Sequence, residues 1–599
     1  MTKTLQPILQ VLQGIREGRA AFLLSGRSIR DLDVYPENQR LGTLLEILRQ
    51  ALKTLAEDQG MILVTYSRAE GLDLEAATLD SDRDRQTLET AFRAHHLLNI
   101  PQDDQEIPHV LRGISSFCRN TSALPSAKGG EMRVCFLLDF AEDLAPSCAG
   151  NPSDAQIVAA EHGNLLAQSL AMRNNGHAVI WHTHDAALVS SLVRSAVHSI
   201  HLPQPKAQEK LVFLQAALQL YDKAKFEEGL SLENVAFLTS NTPNRGLEGL
   251  IRASHRSDRV ITAKELVAQK SADVQMQSEG TLTVLDTAQI DPNHSLEGVN
   301  SIKPQQVLRQ LAVHLANGSP HMPMNVLLVG PPATGKTEMS LAVAKLAGVS
   351  AYQMHSPKGG IVGETERKSE VQQRIRKEAI PNIAFVDEIT EALPLERSDF
   401  DGDSGATRAV AAALLTALAD ESLRGKSLLI ATTNCPYRIG AAMRSRFMMI
   451  PVLHPLRSDY GAIVLATAQK VDRQTSQALS VQDAAITEAA NLFYTKGANP
   501  RQIRAALSNA LLLKGRLTPE HILFAAEDCT VPSDRISAIY ADLWAVATCS
   551  AKSFFPWADC LHSYPFPDHL VGLVHPVTGE IDRAELEHRI EELKPHANL

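Results

Sequence analysis

Residues Asn325–Ser340 read NVLLVGPPATGKTEMS. Four apolar residues, Val326–Val329, run into a glycine-containing turn, and EMSLAVAKLAG then carries apolar residues at helical spacing. The turn fits G-x-x-x-x-G-K-[ST]. Gly330, Gly335, Lys336 and Thr337 hold the fixed positions, and Pro331, Pro332, Ala333 and Thr334 fill the rest. The chemistry needs this spacing. Glycines let the backbone wrap a phosphate chain with successive N–H groups turned inward, and the helix N-terminus adds its dipole. Lys336 then reaches the β- and γ-phosphates, and the Thr337 hydroxyl holds Mg²⁺. Strand, loop and helix in this order predict a parallel α/β sheet with MgATP at its edge.

The flanking sequence supplies what hydrolysis needs. Ile383–Ile389 reads IAFVDEI, a buried-strand pattern ending in two acids. Cleaving a phosphoanhydride depends on positioning and charge control, so Asp387 is expected to orient Mg²⁺ and Glu388 to polarise the attacking water. A third strand, LLIATTN, ends in Asn434, which would orient that water or sense the γ-phosphate. Arg444 and Arg446 follow in RSRF. Arginine stabilises phosphoryl-transfer charge from a neighbouring subunit, so both are candidate fingers.

These motifs, in this order and spacing over about residues 296–515, resemble an AAA+ ATPase. Between them, GDSGATRAVAAALLTALAD resembles the family's segment near the subunit interface, and NHSLEGVNSIKPQQVLRQLAVHL its lead-in helix. GANPRQIRAAL resembles the lid helix with a sensor-2 arginine, which would make Arg501 a γ-phosphate contact, ahead of Arg504. The resemblance further implies nucleotide held between subunits, self-association as a homohexameric ring, and remodelling of a protein client. One departure bears on that output. Threading proteins of the family carry an aromatic before Gly-Glu in the central loop, whereas KGGIVGETERK has Ile361 and Val362 before Gly363-Glu364.

The first half reads as a worn copy. Trp181–Val197, WHTHDAALVSSLVRSAV, lies 250 residues before Ala431–Phe447, with Thr183, Arg194 and Ser195 matching Thr433, Arg444 and Ser445. MRVCFLLDF ends in Asp139 as IAFVDEI ends in Asp387, but Phe140 stands for Glu388, His184 for Asn434 and Ala196 for Arg446. AAFLLSGRSIRDLDVYP supplies a first strand and a Ser25-Gly26 turn without Gly-Lys-Thr. Asp139 is expected to be structural. His182, His184 and His198 have no accompanying cluster of metal ligands, and no metal is expected there.

The expected fold class is therefore α/β: two AAA+-type modules, each a parallel-sheet core with a helical lid, the first lacking a P-loop. The expected boundaries are 1–204 for the degenerate core, 205–270 for its lid and 271–303 for a linker. Residues 304–455 then form the active core, 456–530 its lid and 531–599 a C-terminal extension. That extension carries Tyr540, Trp544, Phe554, Phe555, Trp557, Tyr564 and Phe566, read as its core in preference to an interface. Asp582 and Glu585 stand at capping-box spacing before its last helix.

Composition sets the outer bounds. A chain of 599 residues exceeds one hydrophobic core and suggests three to five structural units. The 44% hydrophobic and 21% charged content is that of a globular protein. A net charge of −10 disfavours nucleic acid as the main partner, and a nucleic-acid loader is the weakest output reading. Seven cysteines without a CxxC pair, no signal-type start and no long apolar run point to a cytoplasmic protein without a membrane span. An ATP-gated assembly or scaffold switch remains the alternative to a remodelling machine.

Overall fold

The computed structural model describes residues 5–35, 38–55, 60–74, 79, 81–98, 106–127, 129–147, 153–278, 280–285, 298–355, 364–392, 414–472, 479–530 and 535–597. The chain divides into two compact units, residues 1–266 and 267–599.

The first unit is built on strands β1 (Ala21–Gly26), β2 (Met61–Ser67), β3 (Gly71–Asp73), β4 (Glu131–Leu138), β5 (Ala178–Thr183) and β6 (His198–Leu202). They lie in the order β3-β2-β4-β5-β1-β6, all parallel except the edge strand β3. The second unit uses β7 (Leu282–Val284), β8 (Asn325–Val329), β9 (Ser350–Met354), β10 (Asn382–Val386), β11 (Ser427–Thr433) and β12 (Met448–Pro451). Their order is β7-β9-β10-β11-β8-β12, again parallel except for the edge strand β7. The five parallel strands of the two sheets thus share one order, whereas the antiparallel edge strand follows β2 in the first unit and precedes β8 in the second. Strands β8, β10 and β11 are buried along their whole length, as expected of parallel strands covered on both faces.

Pairing register turns the sequence offset into geometry. Leu23 lies opposite Trp181 and Ser199, and Leu327 opposite Ala431 and Met449, so both neighbours shift by the same 250 residues. Leu138 lies opposite Trp181 and Val386 opposite Ala431, which sets Asp139 and Asp387 at equivalent strand ends. Gly26 (φ 114°) and Gly330 (φ 155°) make equivalent close approaches. A Cβ would stand 2.6 Å from the carbonyl oxygen of Leu202 in the first case and 2.0 Å from that of Val452 in the second.

Each unit adds helices beyond its sheet. In the first, Ala207–Leu220, Leu232–Leu238 and Asn244–Ser257 close on Phe213, Leu214, Val235 and Ile251. In the second, Tyr460–Val471, Ala484–Lys496, Pro500–Lys514 and Pro519–Asp528 close on Phe493, Leu507 and Ile522. Among the described residues no helix is long and apolar enough to cross a membrane.

Two expectations are corrected. Residues 271–303 are built into the second unit at both ends. The helix Ala263–Gln277 runs into the stretch, β7 pairs with β9, and the helix Val299–Ala316 starts inside it. Val274 and Leu282 are buried in the sheet core, and Gln372 Nε2 donates to the carbonyl of Thr281 at 3.0 Å. A three-residue edge strand has too short a period to stand out in a polar stretch. At the last helix, Asp582 does cap it, accepting from the amides of Ala584 and Glu585, both at 3.1 Å. The reciprocal bond of a capping box is replaced: Asp582 N donates to Leu573 O at 2.9 Å, and Glu585 pairs with Arg589.

The C-terminal extension shares the core of the second unit. Tyr540, Leu543, Trp557, Tyr564 and Leu570 belong to one buried cluster with Leu327, Val329 and Ala431. Phe555 and Trp557 stack at 4.7 Å. Ser550 bonds β12 both ways, accepting from Met449 N at 2.8 Å and donating to Met449 O at 3.1 Å. The central-loop segment 356–363 and most of GDSGATRAVAAALLTALAD lie outside the described residues.

Candidate active site

The site forms where β8, β10 and β11 end. Lys336 opens the helix Lys336–Ala347 behind Gly335, whose φ of 88° suits glycine. Its ammonium is buried and donates to the carbonyls of Gly330 (2.9 Å) and Pro331 (2.5 Å) and to Asn434 Oδ1 (2.6 Å). Burial lowers the Lys336 pKa to about 8, against the opposing pull of Glu388, Asp387 and Asp542. The charged form is thus held at a cost that a bound polyphosphate would relieve. Thr334 hydroxyl donates to Pro331 O at 3.0 Å and pins the loop.

Asp387 accepts from the hydroxyls of Thr337 (3.2 Å) and Thr432 (2.6 Å). Glu388 follows in a left-handed conformation, φ 47°. Its amide donates to Thr432 Oγ1 at 3.0 Å, and its carboxylate accepts from the backbone amide of Asn434 (3.1 Å) and from the Asn434 side chain. Five expected residues, Lys336, Thr337, Asp387, Glu388 and Asn434, are therefore joined in one hydrogen-bonded group. Thr432, which the sequence reading passed over, anchors both acids. Its signal was the doubled threonine in ATTN. The donor set beside the loop, a hydroxyl and a carboxylate, is all oxygen and suits Mg²⁺.

The three arginines take no part in these bonds. Arg444 and Arg446 sit half-buried at the end of the short helix Ala441–Arg444, where Arg446 Nη1 donates to Ala442 O at 2.5 Å. Arg501 is exposed in the first turn of the lid helix Pro500–Lys514, which is capped reciprocally by Asn499 and Gln502.

The matching place in the first unit is filled by the chain itself. After Gly26 the helix begins only at Leu44, with a hairpin, Leu32–Val34 against Leu41–Thr43, in between. Leu44 N and Leu45 N donate to the carbonyls of Asp31 (2.9 Å) and Ile29 (2.7 Å), and Glu46 N to Thr43 Oγ1 (3.1 Å). The amides that would greet a phosphate are thereby used up. Arg27, fully buried, bonds Asp31 (2.6 Å) and Asp33 (2.8 Å). Asp31 also accepts from the amides of Asn244 and Arg245, both at 3.0 Å, which ties the sheet to the helix Asn244–Ser257.

Asp139 is held between His182 (2.7 Å) and Arg30 (3.1 Å). Burial alone would raise its pKa, but the His182 hydrogen bond and the nearby charges outweigh that and lower it. His182 stands where Thr432 stands and makes the same contact to the acid. His198 Nε2 is bonded to Arg19 at 3.0 Å. Phe140 shares the left-handed φ of Glu388, at 56°. The unusual backbone at Glu388 therefore belongs to the turn that both sheets share and is no mark of catalysis.

A phosphate loop at the end of β8, with acids at the end of the next strand but one, defines the class: a phosphate-loop nucleotide-binding α/β protein. Residues 326–454 match the family described as "ATPase family associated with various cellular activities (AAA)". Residues 12–203 match the "AAA+ chaperone, N-terminal Rossmann-like domain". The chain thus carries an AAA ATPase domain behind an AAA+ chaperone N-terminal domain. Among curated proteins it is similar to the ATPase family gene 2 protein of Schizosaccharomyces pombe, 40% identical over 124 residues, 20% of this chain and 15% of that protein. It is also similar to the Cell division cycle protein 48 homolog of Archaeoglobus fulgidus, 28% identical over 249 residues, 37% of this chain and 33% of the relative. A third relative is the putative 26S proteasome regulatory subunit homolog of Methanocaldococcus jannaschii, 35% identical over 127 residues, 21% of this chain and 34% of the relative. The matches span about a third or less of these relatives' own length.

Proposed function

We propose that this chain is a Mg²⁺-dependent ATPase whose second unit hydrolyses ATP to ADP and phosphate. The observation that carries this reading is the single hydrogen-bonded group of Lys336, Thr337, Asp387, Glu388 and Asn434, joined through Thr432, at three strand ends. Lys336 and the backbone amides of Ala333, Thr334, Gly335, Lys336 and Thr337 bind the β- and γ-phosphates, while Gly330, Pro331 and Pro332 shape the loop. Thr337 and Asp387 would hold Mg²⁺, which neutralises phosphate charge when bound. Glu388 takes a proton's share from the attacking water, and Asn434 aligns that water. Asn434 now bridges Lys336 and Glu388, so a γ-phosphate that draws Lys336 away opens the bridge at Asn434 Oδ1. Arg501 reads the γ-phosphate from the lid, and Arg444 and Arg446 complete the site of a neighbouring copy.

The output we favour is remodelling of a protein client by a homohexameric ring in the cytoplasm, with the first unit as a nucleotide-free platform. The filled phosphate place around Arg27 and Asp31 supports a second reading, an ATP-gated assembly switch whose first half binds partners without translocation. Sedimentation of the Glu388→Gln protein with and without MgATP separates the two. This substitution keeps ATP bound and unhydrolysed. An ATP-dependent hexamer supports the ring, whereas a monomer at every protein and nucleotide concentration removes it and leaves the switch.

A further inference from the structure

Within the second unit, a cavity of about 900 Å³ opens beside the phosphate loop. Pro332 of the loop forms part of its wall, as do Leu456 at the passage from sheet to lid and Gln502 on the lid. The opposite side comes from the C-terminal extension, through Ala538 and Ile539 of the helix Arg535–Thr548 and through Phe566. A molecule whose phosphates lie in the loop has this space next to it, and a nucleoside fits within such a volume.

The extension's wall is rigidly built. Asp542 is 2% exposed, accepts from His454 N at 3.0 Å and lies 3.2 Å from His569 Nε2. His454 O accepts from Asn300 Nδ2 (2.5 Å), and Asn300 Oδ1 accepts from Tyr564 OH (2.5 Å). Phe566 is half-buried, with its ring against Tyr564 (4.7 Å) and Trp557 (5.4 Å) and part of its surface facing the cavity. Asp542 lines the same cavity as Pro332, whose neighbour Pro331 accepts from Lys336 through its carbonyl. The wall therefore stands near the phosphate end of the site as well as beside open space.

We propose that the C-terminal extension supplies one wall of the nucleotide pocket, on the side of the base and ribose, with Phe566 as the ring-stacking face. This rests on the reading of the second unit as an ATP site. It makes residues 535–569 part of ligand recognition as well as part of the core. An aromatic face beside a base adds binding that the phosphates alone do not provide. Lid and extension face the same cavity, so base binding would also join the lid to the extension.

The test compares ATP with inorganic tripolyphosphate, which occupies the loop but has no base. Equilibrium binding to the full chain is measured for the parent, for Phe566→Ala and for Ala538→Phe, which adds a ring at the cavity wall without removing core. The expected result is a tenfold or greater loss of ATP affinity in both variants, with tripolyphosphate affinity unchanged within twofold. Equal loss for both ligands, or no loss for either, overturns the proposal. A parent that binds neither ligand instead overturns the ATP-site reading itself. If Phe566→Ala lowers the melting temperature, Ala538→Phe decides the matter alone.

Discussion

Lys336 makes ATP affinity depend on pH in a defined window. Its pKa in the free protein is about 8, lowered by burial from an ordinary 10.5. Pairing with a triphosphate restores the charged form. Below pH 8 the lysine is already protonated, and binding takes up little. Above pH 8 the free protein must gain a proton to bind, so affinity falls as pH rises. At pH 9, one unit above the pKa, roughly one molecule in eleven is protonated, and the apparent Kd is about tenfold weaker than at pH 7. A phosphate's own last ionisation, roughly at pH 6, lies below this window. The same proton accounting says the free protein gains stability between pH 8 and 10.5, where the unfolded chain binds more protons. The assay is titration of the parent protein with a non-hydrolysable fluorescent ATP analogue from pH 6.5 to 9.5. Lys336→Arg keeps its charge throughout and is expected to bind more weakly with a flat profile. A parent Kd at pH 9 within twofold of that at pH 7 refutes the reasoning, as does an unchanged slope in the arginine variant.

The two equivalent glycines should separate the two units. Gly330→Ala forces a Cβ to 2.0 Å from Val452 O at φ 155°, and detectable ATP binding is expected to vanish by calorimetry. Gly26→Ala, 2.6 Å from Leu202 O, is expected to lower first-unit stability by about 2–3 kcal/mol in denaturant titration while ATP affinity stays unchanged. Asp31→Ala strips a partner from the buried Arg27 and two caps from the helix Asn244–Ser257. A loss of about 3–5 kcal/mol is expected. Hydrogen exchange in that helix should rise, with ATP turnover retained.

Much of this was legible because the chemistry of a phosphate loop is local. Gly330, Lys336 and Thr337 lie within eight residues, and the strand before them and helix after them carry their own periodicities. The 250-residue offset was legible because strand ends and the polar groups on them stay in register when side chains change. What escaped were contacts made across distance. Arg27 and Asp31 look like a polar turn until the lid helix arrives at Asn244 to use the same carboxylate. The aromatics of the extension gave the right answer, core, yet nothing in their spacing told that the core belonged to the sheet of Leu327 and Ala431. Asp542, His454 and His569 are far apart in sequence and meet only through that packing.

The hairpin between Gly26 and Leu44 has a consequence for how the first unit could change over time. Placing a lysine and a threonine after Gly26 would not restore a phosphate loop, because the helix that must follow begins beyond the hairpin. Removing the hairpin would take Asp33 and the Leu32 carbonyl from the buried Arg27 and leave it Asp31 alone. An intermediate that lost the hairpin while keeping Arg27 would hold an under-paired buried charge, a large penalty for a single domain. A return to nucleotide binding would therefore need the hairpin and Arg27 to change together.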